Sequence, residues 1–506
     1  MRILLKKVSI TLALMSLCSI TFNFSNASVE ETLLGITSAK AASDTEKRVM
    51  PVRDIRWDKT ATNTQAKVLP TRTVQSKTVE KTTAATTQKV MSPTVLPARS
   101  TASQSATTQK AQPKTTTTKI IEKEQPLIRV LLGTRSSSFS VSSSKGMVLL
   151  DANRRTLANY GAGKSVNISR SGNTVRVDGK NAGTTAFLEP AQQGTIQTLG
   201  TAYRGKIKVT TTGSSMSVIN EVPLESYLYG VVPKEAVPSW PMAALQAQAV
   251  AARTYALYNM QESKNKPYDV KPTTYHQVYE GKSAEFDATN KAVDSTRGMV
   301  MTYSGRPINA LFHADGGGYT EDSVNVWGSH LPYLKGVKDY ANNVDTSHWT
   351  VTTSRTGIER SLSSAGKGVG TLKSIILSPL GKRPIRASDR GISGRVKSAT
   401  FVGSSRQVTI SGENLMSIFG LRSTLFDFSI GKKLPSNIDS ASFKAHHIFG
   451  KGNETVYISG YGWGHGLGMS QWGAAAMANK APASDLNYYK NILNHYYNGI
   501  KIEKAY

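Results

Sequence analysis

Residues Glu221–Met260 read EVPLESYLYGVVPKEAVPSWPMAALQAQAVAARTYALYNM. Three pieces follow one another. Glu221–Val232 is an apolar approach with the look of a strand or a short turn. Pro233–Pro241 is a loop punctuated by proline, and it carries one acid, Glu235, among apolar neighbours. Met242–Met260 is rich in alanine, and Leu245, Ala249, Ala252 and Ala256 recur at helical spacing. Pro241 stands where a first-turn proline is tolerated, so the spacing predicts a helix from Met242. Its other faces are also small or apolar, which predicts a buried helix. Gln246 and Arg253, seven residues apart, share a face. With Glu235 they form a candidate site mounted on a rigid element.

The chain has 506 residues and a formal net charge of +28. That length accommodates more than one domain. Hydrophobic residues make up 39%, low for a globular chain, so part of it is expected to stay unfolded. The positive charge requires an anionic partner. No nucleic-acid-binding motif of the usual kinds is present, so nucleic acid is not the expected partner. Anionic wall polymers or a membrane surface fit better, because Met1–Ala27 reads as a secretory signal. Arg2, Lys6 and Lys7 form its positive start, Val8–Phe22 its apolar stretch, and Ser25–Ala27 a small-residue cleavage site. An uncleaved anchor is the alternative, so the chain is read as secreted or membrane-tethered, in the cell wall. The one cysteine, Cys18, lies in this segment. Its removal would exclude disulfides, thiolate metal sites and cysteine nucleophiles from the mature chain.

From about Ser43 to Pro126 the sequence is low in complexity, dominated by Thr, Gln, Ala, Lys, Val and Pro. Such a stretch buries too little apolar area to offset chain entropy, so a disordered basic linker is expected over 43–126. It is either a contact for anionic wall polymer or a plain spacer. Order resumes at Leu127. Short β-branched runs cut by Gly, Asn and Ser predict a β-rich front part over 127–213. The core, 214–506, mixes helices and strands. Gly298–Tyr303 and Ile308–Ala314 are expected to pair across Ser304–Pro307. Gly357–Ser364, Met469–Asn479 and Leu486–Tyr497 read as helices. The fold class is therefore α+β, with a buried alanine-rich helix in the core.

Two glycine blocks stand out. Asp315 precedes Gly316–Gly318, and Gly460–Gly468 alternates glycine with Tyr461, Trp463, His465 and Leu467. Glycine lets backbone approach a ligand closely, so His313 and His465 are candidate binding residues. Ser470 and Gln471 follow at the start of a helix, where free N–H groups can meet a sugar. No close histidine pair has metal-ligand spacing except the adjacent His446 and His447, so neither metal nor cofactor is expected.

The run LESYLYGVVPKEAVPSWPMAALQAQAVAARTYAL (Leu224–Leu257) resembles the core motif of the stage II sporulation protein D and amidase-enhancer family. HQVYEG (His276–Gly281), HADGGGYTE (His313–Glu321), VWGSHLPYLKGVKD (Val326–Asp339), GENLMSIFGLRSTLF (Gly412–Phe426) and GYGWGHGLGMSQWGAAAMA (Gly460–Ala478) match its other blocks in order. The resemblance spans roughly Ile128 to the end of the chain. It implies a peptidoglycan lytic transglycosylase acting on the glycan strand, with Glu235 at the position of the catalytic glutamate. It also implies that Gln277 and Tyr279 line the groove. The alternative it implies is a wall binder that stimulates an amidase. One departure bears on that choice. The family pattern places a glutamate and a lysine early in the core helix, where this chain has Ala243 and Gln246.

Overall fold

Alternation of apolar and polar residues builds the front of the chain. In the computed structural model, which describes residues 124–341, 347–437 and 447–506, twelve strands run from Leu127 to Pro223. They are β1 (Leu127–Arg135), β2 (Phe139–Ser142), β3 (Met147–Leu150), β4 (Thr156–Tyr160), β5 (Ser165–Ser171) and β6 (Thr174–Val177). Then follow β7 (Lys180–Asn181), β8 (Thr185–Pro190), β9 (Ile196–Thr198), β10 (Thr201–Tyr203), β11 (Lys206–Thr212) and β12 (Ser215–Pro223). They form two antiparallel six-stranded sheets, ordered β1-β12-β11-β8-β3-β4 and β10-β9-β2-β5-β6-β7. Ile207 and Val209 are buried while Lys206 and Lys208 between them are not, and Val175 and Val177 flank Arg176 in the same way. This period of two puts one face of each sheet into a core. The candidate signal, 1–27, and nearly all of the candidate linker lie outside the described residues.

β12 feeds the core directly. Pro223 pairs with Leu127 at the end of the β1–β12 ladder and is followed at once by helix α1 (Leu224–Glu235). A strand or turn was expected here, followed by a loop from Pro233. The chain is helical instead. Leu224, Tyr227, Leu228 and Val231 are buried at i, i+3, i+4 and i+7, so one helical face packs inward. Pro233 sits two residues from the end, where its missing N–H interrupts little of the ladder. Helix α2 (Met242–Glu262) then follows, and every residue from Ala244 to Ala256 is buried. The expected burial of this helix on all sides is thus met. Arg129 of β1 ties its far end to the front sheet. The guanidinium reaches Asp269 at 2.6 Å and the carbonyls of Ser263 and Lys266.

Around α2 lie α3 (Asp287–Ser295), β13 (Met299–Tyr303), β14 (Arg306–Pro307) and β15 (Phe312–His313). β13 pairs with β14, but its other neighbour comes from the chain's end, Lys501–Lys504. Ile308–Ala314 does not continue the expected hairpin. One further rung, Ile308 N–H to the Met301 carbonyl at 3.2 Å, ends the pairing, and Ile308, Ala310 and Leu311 turn into the core beside α2. Beyond α4 (Ser323–Trp327), a second core gathers β16 (His348–Ser354), α5 (Arg355–Ser364), β17 (Leu372–Ile376), β18 (Ser398–Gly403), β19 (Gln407–Ser411), α6 (Gly412–Phe419), β20 (Phe426–Ile430) and β21 (Thr455–Tyr461). The chain then returns to α2. β22 (Met469–Ser470) pairs in parallel with β15. Helices α7 (Gln471–Ala478) and α8 (Tyr489–Tyr496) pack into the α2 core, and β23 (Lys501–Lys504) closes the β13 sheet. Leu127–Ala505 fall within one unit. Among the described residues no helix is long and apolar enough to cross a membrane.

Candidate functional site

Glu235 is the last residue of α1, and three elements meet at its carboxyl. The Val278 backbone N–H, from the loop after α2, donates to Oε1 at 3.1 Å. Gln471 Nε2, from the first residue of α7, lies 3.5 Å from Oε2. The same nitrogen lies 3.5 Å from Gln248 Oε1 on α2. Tyr227 and Tyr255 stand near enough for the Glu235 charge to raise their own pKa further, beyond the effect of burial. Trp240 and Trp472 meet edge to face at 5.0 Å. Although protein atoms crowd the carboxyl, Glu235 as a whole residue keeps part of its surface open to solvent.

Burial pushes the Glu235 pKa up from 4.5 to about 7. The Val278 N–H, Gln471 and the nearby Lys234 ammonium pull it down, but less strongly. Lys234 is itself engaged with Glu280 at 3.0 Å. The hydrogen bonds to this carboxyl come from Val278 and Gln471, not from the first turn of α2. Glu235 instead ends a helix, where a negative charge is disfavoured. The result is a carboxyl that titrates near neutral pH and is able to exchange its proton.

The family model for the stage II sporulation protein matches residues 212–303. An uncharacterised protein of Brachyspira hyodysenteriae is 35% identical over 304 residues, covering 60% of this chain and 73% of that protein. The chain belongs to the stage II sporulation protein D and amidase-enhancer family. Stage II sporulation protein D of Bacillus amyloliquefaciens is 28% identical over 321 residues, covering 60% of this chain and 81% of that protein. The amidase enhancer of Bacillus subtilis is 33% identical over 292 residues, but this chain spans only 39% of its length.

Of the residues singled out in the sequence, Gln471 joins Glu235 and most of the others do not. Arg253 is fully buried and grips Glu225 with two bonds, at 2.9 and 2.7 Å, while also donating to the carbonyls of Val293 and Met299. It is an internal ion pair with Glu225, not a groove residue. Gln246 donates to Ser295 Oγ at 3.0 Å and packs α2 on α3. Gln277 accepts from Tyr227 and donates to the Ala252 carbonyl. Tyr279 is buried and donates to Asn220 at 2.9 Å. Both hold the loop whose Val278 N–H meets Glu235, so their block shapes the site from behind.

The glycine blocks serve packing rather than an open groove. Gly464 and Gly466 have φ of 100° and 82°. A Cβ on Gly466 would lie 2.1 Å from Arg395 Nε, and one on Gly464 2.9 Å from His313 Cβ. The close approach is therefore to protein atoms. His313 is buried, with Nδ1 3.1 Å from the Leu467 carbonyl, and burial lowers its pKa well below the usual value. His465 lies 5.4 Å from that ring, and burial lowers its pKa to about 4. Both rings are neutral at physiological pH. Ser470 caps α7 by accepting from Gly473 N–H at 3.1 Å, and it also accepts from Gly316 N–H. It thereby aims Gln471 without facing the carboxyl. Asp315 is buried and accepts from Ser347 and Gly317, with its pKa raised to about 6 by burial. Among the described residues no group of three or more His, Cys, Asp or Glu is placed to hold a metal. His446 lies outside them, and His447 bonds Asp427 at 2.8 Å.

Sequence reasoning missed Gln248 and Val278. Gln248 had a signal, because it interrupts the apolar stripe of α2 between Leu245 and Ala252. Val278 had none, since it acts through its backbone.

Proposed function

We propose that this chain remodels the cell wall as a peptidoglycan lytic transglycosylase, with Glu235 as acid and then base. The observation that carries the reading is a single carboxyl, on a residue that is only partly buried, with burial raising its pKa to about 7. No other carboxylate is among the groups that shift it. A hydrolase of glycosides ordinarily needs two carboxylates, one for the leaving oxygen and one for water or attack. A lytic transglycosylase needs one. Protonated Glu235 gives its proton to the oxygen bridging N-acetylmuramic acid and N-acetylglucosamine as the bond to the anomeric carbon breaks. The resulting carboxylate takes the proton of the muramic C6 hydroxyl, whose oxygen bonds to that carbon. An anhydro ring forms, no water is consumed, and Glu235 ends protonated. A pKa near the working pH suits a group that must do both jobs. The basic chain suits an anionic envelope outside the cell.

A second reading is favoured by the 33% identity to a protein named amidase enhancer. In it the chain binds the glycan and stimulates a wall amidase without cutting. Ala243 and Gln246, at positions where the family pattern is charged, fit this reading too. One experiment separates the two. The full chain and Glu235→Gln are incubated with purified glycan strands, with and without stem peptides, and with and without an added amidase. Anhydro ends from the wild type alone support the transglycosylase. No cleavage, with amidase activity raised equally by both proteins, supports the enhancer.

A further inference from the structure

We propose that Gln248 and Gln471 form an amide switch that turns over with the protonation state of Glu235, making both positioning residues for its acid and base roles. This deepens the transglycosylase reading and rests on it for its catalytic meaning.

The geometry leaves one atom unexplained. Gln471 Nε2 is shared between Glu235 Oε2 and Gln248 Oε1 at 3.5 Å each. Gln248 Nε2, on a side chain only 1% exposed, has no partner. An orphaned buried amide N–H is costly. The arrangement suits an ionised Glu235, because Gln471 donates to it. It cannot serve the acid form, whose Oε2–H requires an acceptor. Oε1 is unavailable for that proton's exchange with Gln471, being held by Val278 N–H.

Rotating both terminal amides by half a turn changes no heavy-atom outline. Gln471 Oε1 then takes the shared position. It accepts from Glu235 Oε2–H on one side and from Gln248 Nε2–H on the other. The Gln248 N–H is paired, its Oε1 takes the vacant side, where an unsatisfied carbonyl oxygen is tolerated better than an unsatisfied N–H, and the proton is held on the oxygen that must deliver it. Loss of that proton to the glycosidic oxygen returns Gln471 to a donor, which steadies the carboxylate until it takes the proton of the C6 hydroxyl. Two glutamines in series therefore serve a group that acts as acid and then as base. A neighbouring glutamine cannot do this. Gln277 donates Nε2–H to the Ala252 carbonyl, which only accepts, so its amide is pinned.

The other titratable or charged groups set against Glu235 are Lys234 and Tyr227 on α1 and Tyr255 on α2. Lys234 is paired with Glu280. None stands between the two glutamines and Oε2 in the recorded hydrogen bonds.

The test uses the full-length chain labelled with 15N-glutamine and with 13C at the glutamate carboxyl. Glu235→Gln identifies the Glu235 carboxyl signal, and Gln→Met variants identify the amides. As pH is raised through the Glu235 midpoint, the side-chain amides of Gln248 and Gln471 shift with that same midpoint. Gln277 stays fixed, and in Glu235→Gln all three stay fixed. In Gln248→Met, which removes the donor that favours the acid form, the Glu235 midpoint falls by about one pH unit. Gln246→Met leaves it in place. Gln248 amide signals that stay fixed through the titration overturn the switch. So does a Glu235 midpoint that is unmoved or raised in a folded Gln248→Met. The titration in wild type decides the matter even where that variant does not fold. Neither readout uses substrate, so a switch that titrates in a protein forming no anhydro product sinks the transglycosylase reading alone. Cleavage with fixed amides sinks the switch alone.

Discussion

The proton on Glu235 has consequences for rate and for stability, and both fall as pH rises. Its folded pKa of about 7 lies above the ordinary 4.5 because burial disfavours the charge. Cleavage needs the acid form, so the rate is expected to fall with rising pH along a limb centred near 7. Lys234→Met removes a cation that favours the carboxylate, so that limb moves to higher pH, as a pH–rate profile would read. Stability runs the same way. The folded state binds more protons than the unfolded state between about pH 4.5 and 7. Ionisation of Glu235 therefore lowers stability progressively across that window. Glu235→Gln abolishes this loss. It is expected to match wild type at pH 4 and to exceed it by roughly 1–3 kcal/mol at pH 8, given that the residue is only partly buried. Denaturant midpoints of the two proteins at both pH values check it. A variant that loses product yet gains stability at pH 8 has lost chemistry rather than fold. Arg253 marks the contrast. Arg253→Met strips the buried Glu225 of its guanidinium, which costs about 3–5 kcal/mol. Its effect should appear as lost folded protein, with KM for the glycan unchanged in whatever fraction stays folded.

The helix carrying Gln471 is fixed by a residue with no side chain. Gly473 lies two positions into α7, and a Cβ there would fall 2.0 Å from Asp339 Oδ1 and 2.1 Å from the Tyr496 hydroxyl. Those two atoms belong to a buried hydrogen bond of 2.7 Å. Gly473→Ala must either break that bond or lift α7, and overpacking of this kind costs about 1–3 kcal/mol. Lifting α7 moves Gln471 from Glu235. The expected outcome is a lowered thermal midpoint together with a cleavage rate reduced about tenfold or more, whereas Ala476→Gly, on the same helix, leaves the rate nearly unchanged. Gly473 also shows what the sequence made legible. α2 was readable because its alanine spacing is helical and long. β6, at Thr174–Val177, was readable because Val and Arg alternate beside a turn. α1 was misread because Val231-Val232-Pro233 has the composition of a strand end, although Leu224, Tyr227, Leu228 and Val231 keep helical spacing. Glu235 was found through its block resemblance and its apolar neighbours. The partners of Arg253 and His313 were not legible, since each pairs with groups tens to hundreds of residues away. A polar residue facing inward on a buried helix reads the same whether it meets a ligand or another side chain.

The charge of the chain is spread over both of its parts. Residues 124–506 hold 43 of the 62 Lys and Arg and 26 of the 34 Asp and Glu, which leaves +17 of the +28 on the portion that contains Glu235. The front sheets anchor that portion's chemistry. β12 runs straight into α1, and Arg129 clasps Asp269 beyond the end of α2. In the proposed function, recognition of an anionic wall therefore falls to the whole chain rather than to residues 43–126 alone. Exposed charges act over about 8 Å at physiological ionic strength and about 3 Å at 1 M salt. Glu235, in contrast, is engaged at hydrogen-bond distance by the Val278 N–H and Gln471. Salt should separate the two contributions. Raising sodium chloride from about 50 to 500 mM is expected to increase KM for intact wall about tenfold and to change kcat less than twofold. Wall stripped of its anionic polymers should show a smaller rise in KM over the same range. Steady-state release of anhydro ends from both substrates measures this. A kcat that falls in step with affinity would mean that long-range charge acts on the chemical step itself, and the separation argued here between a charged docking surface and a shielded acid would fail.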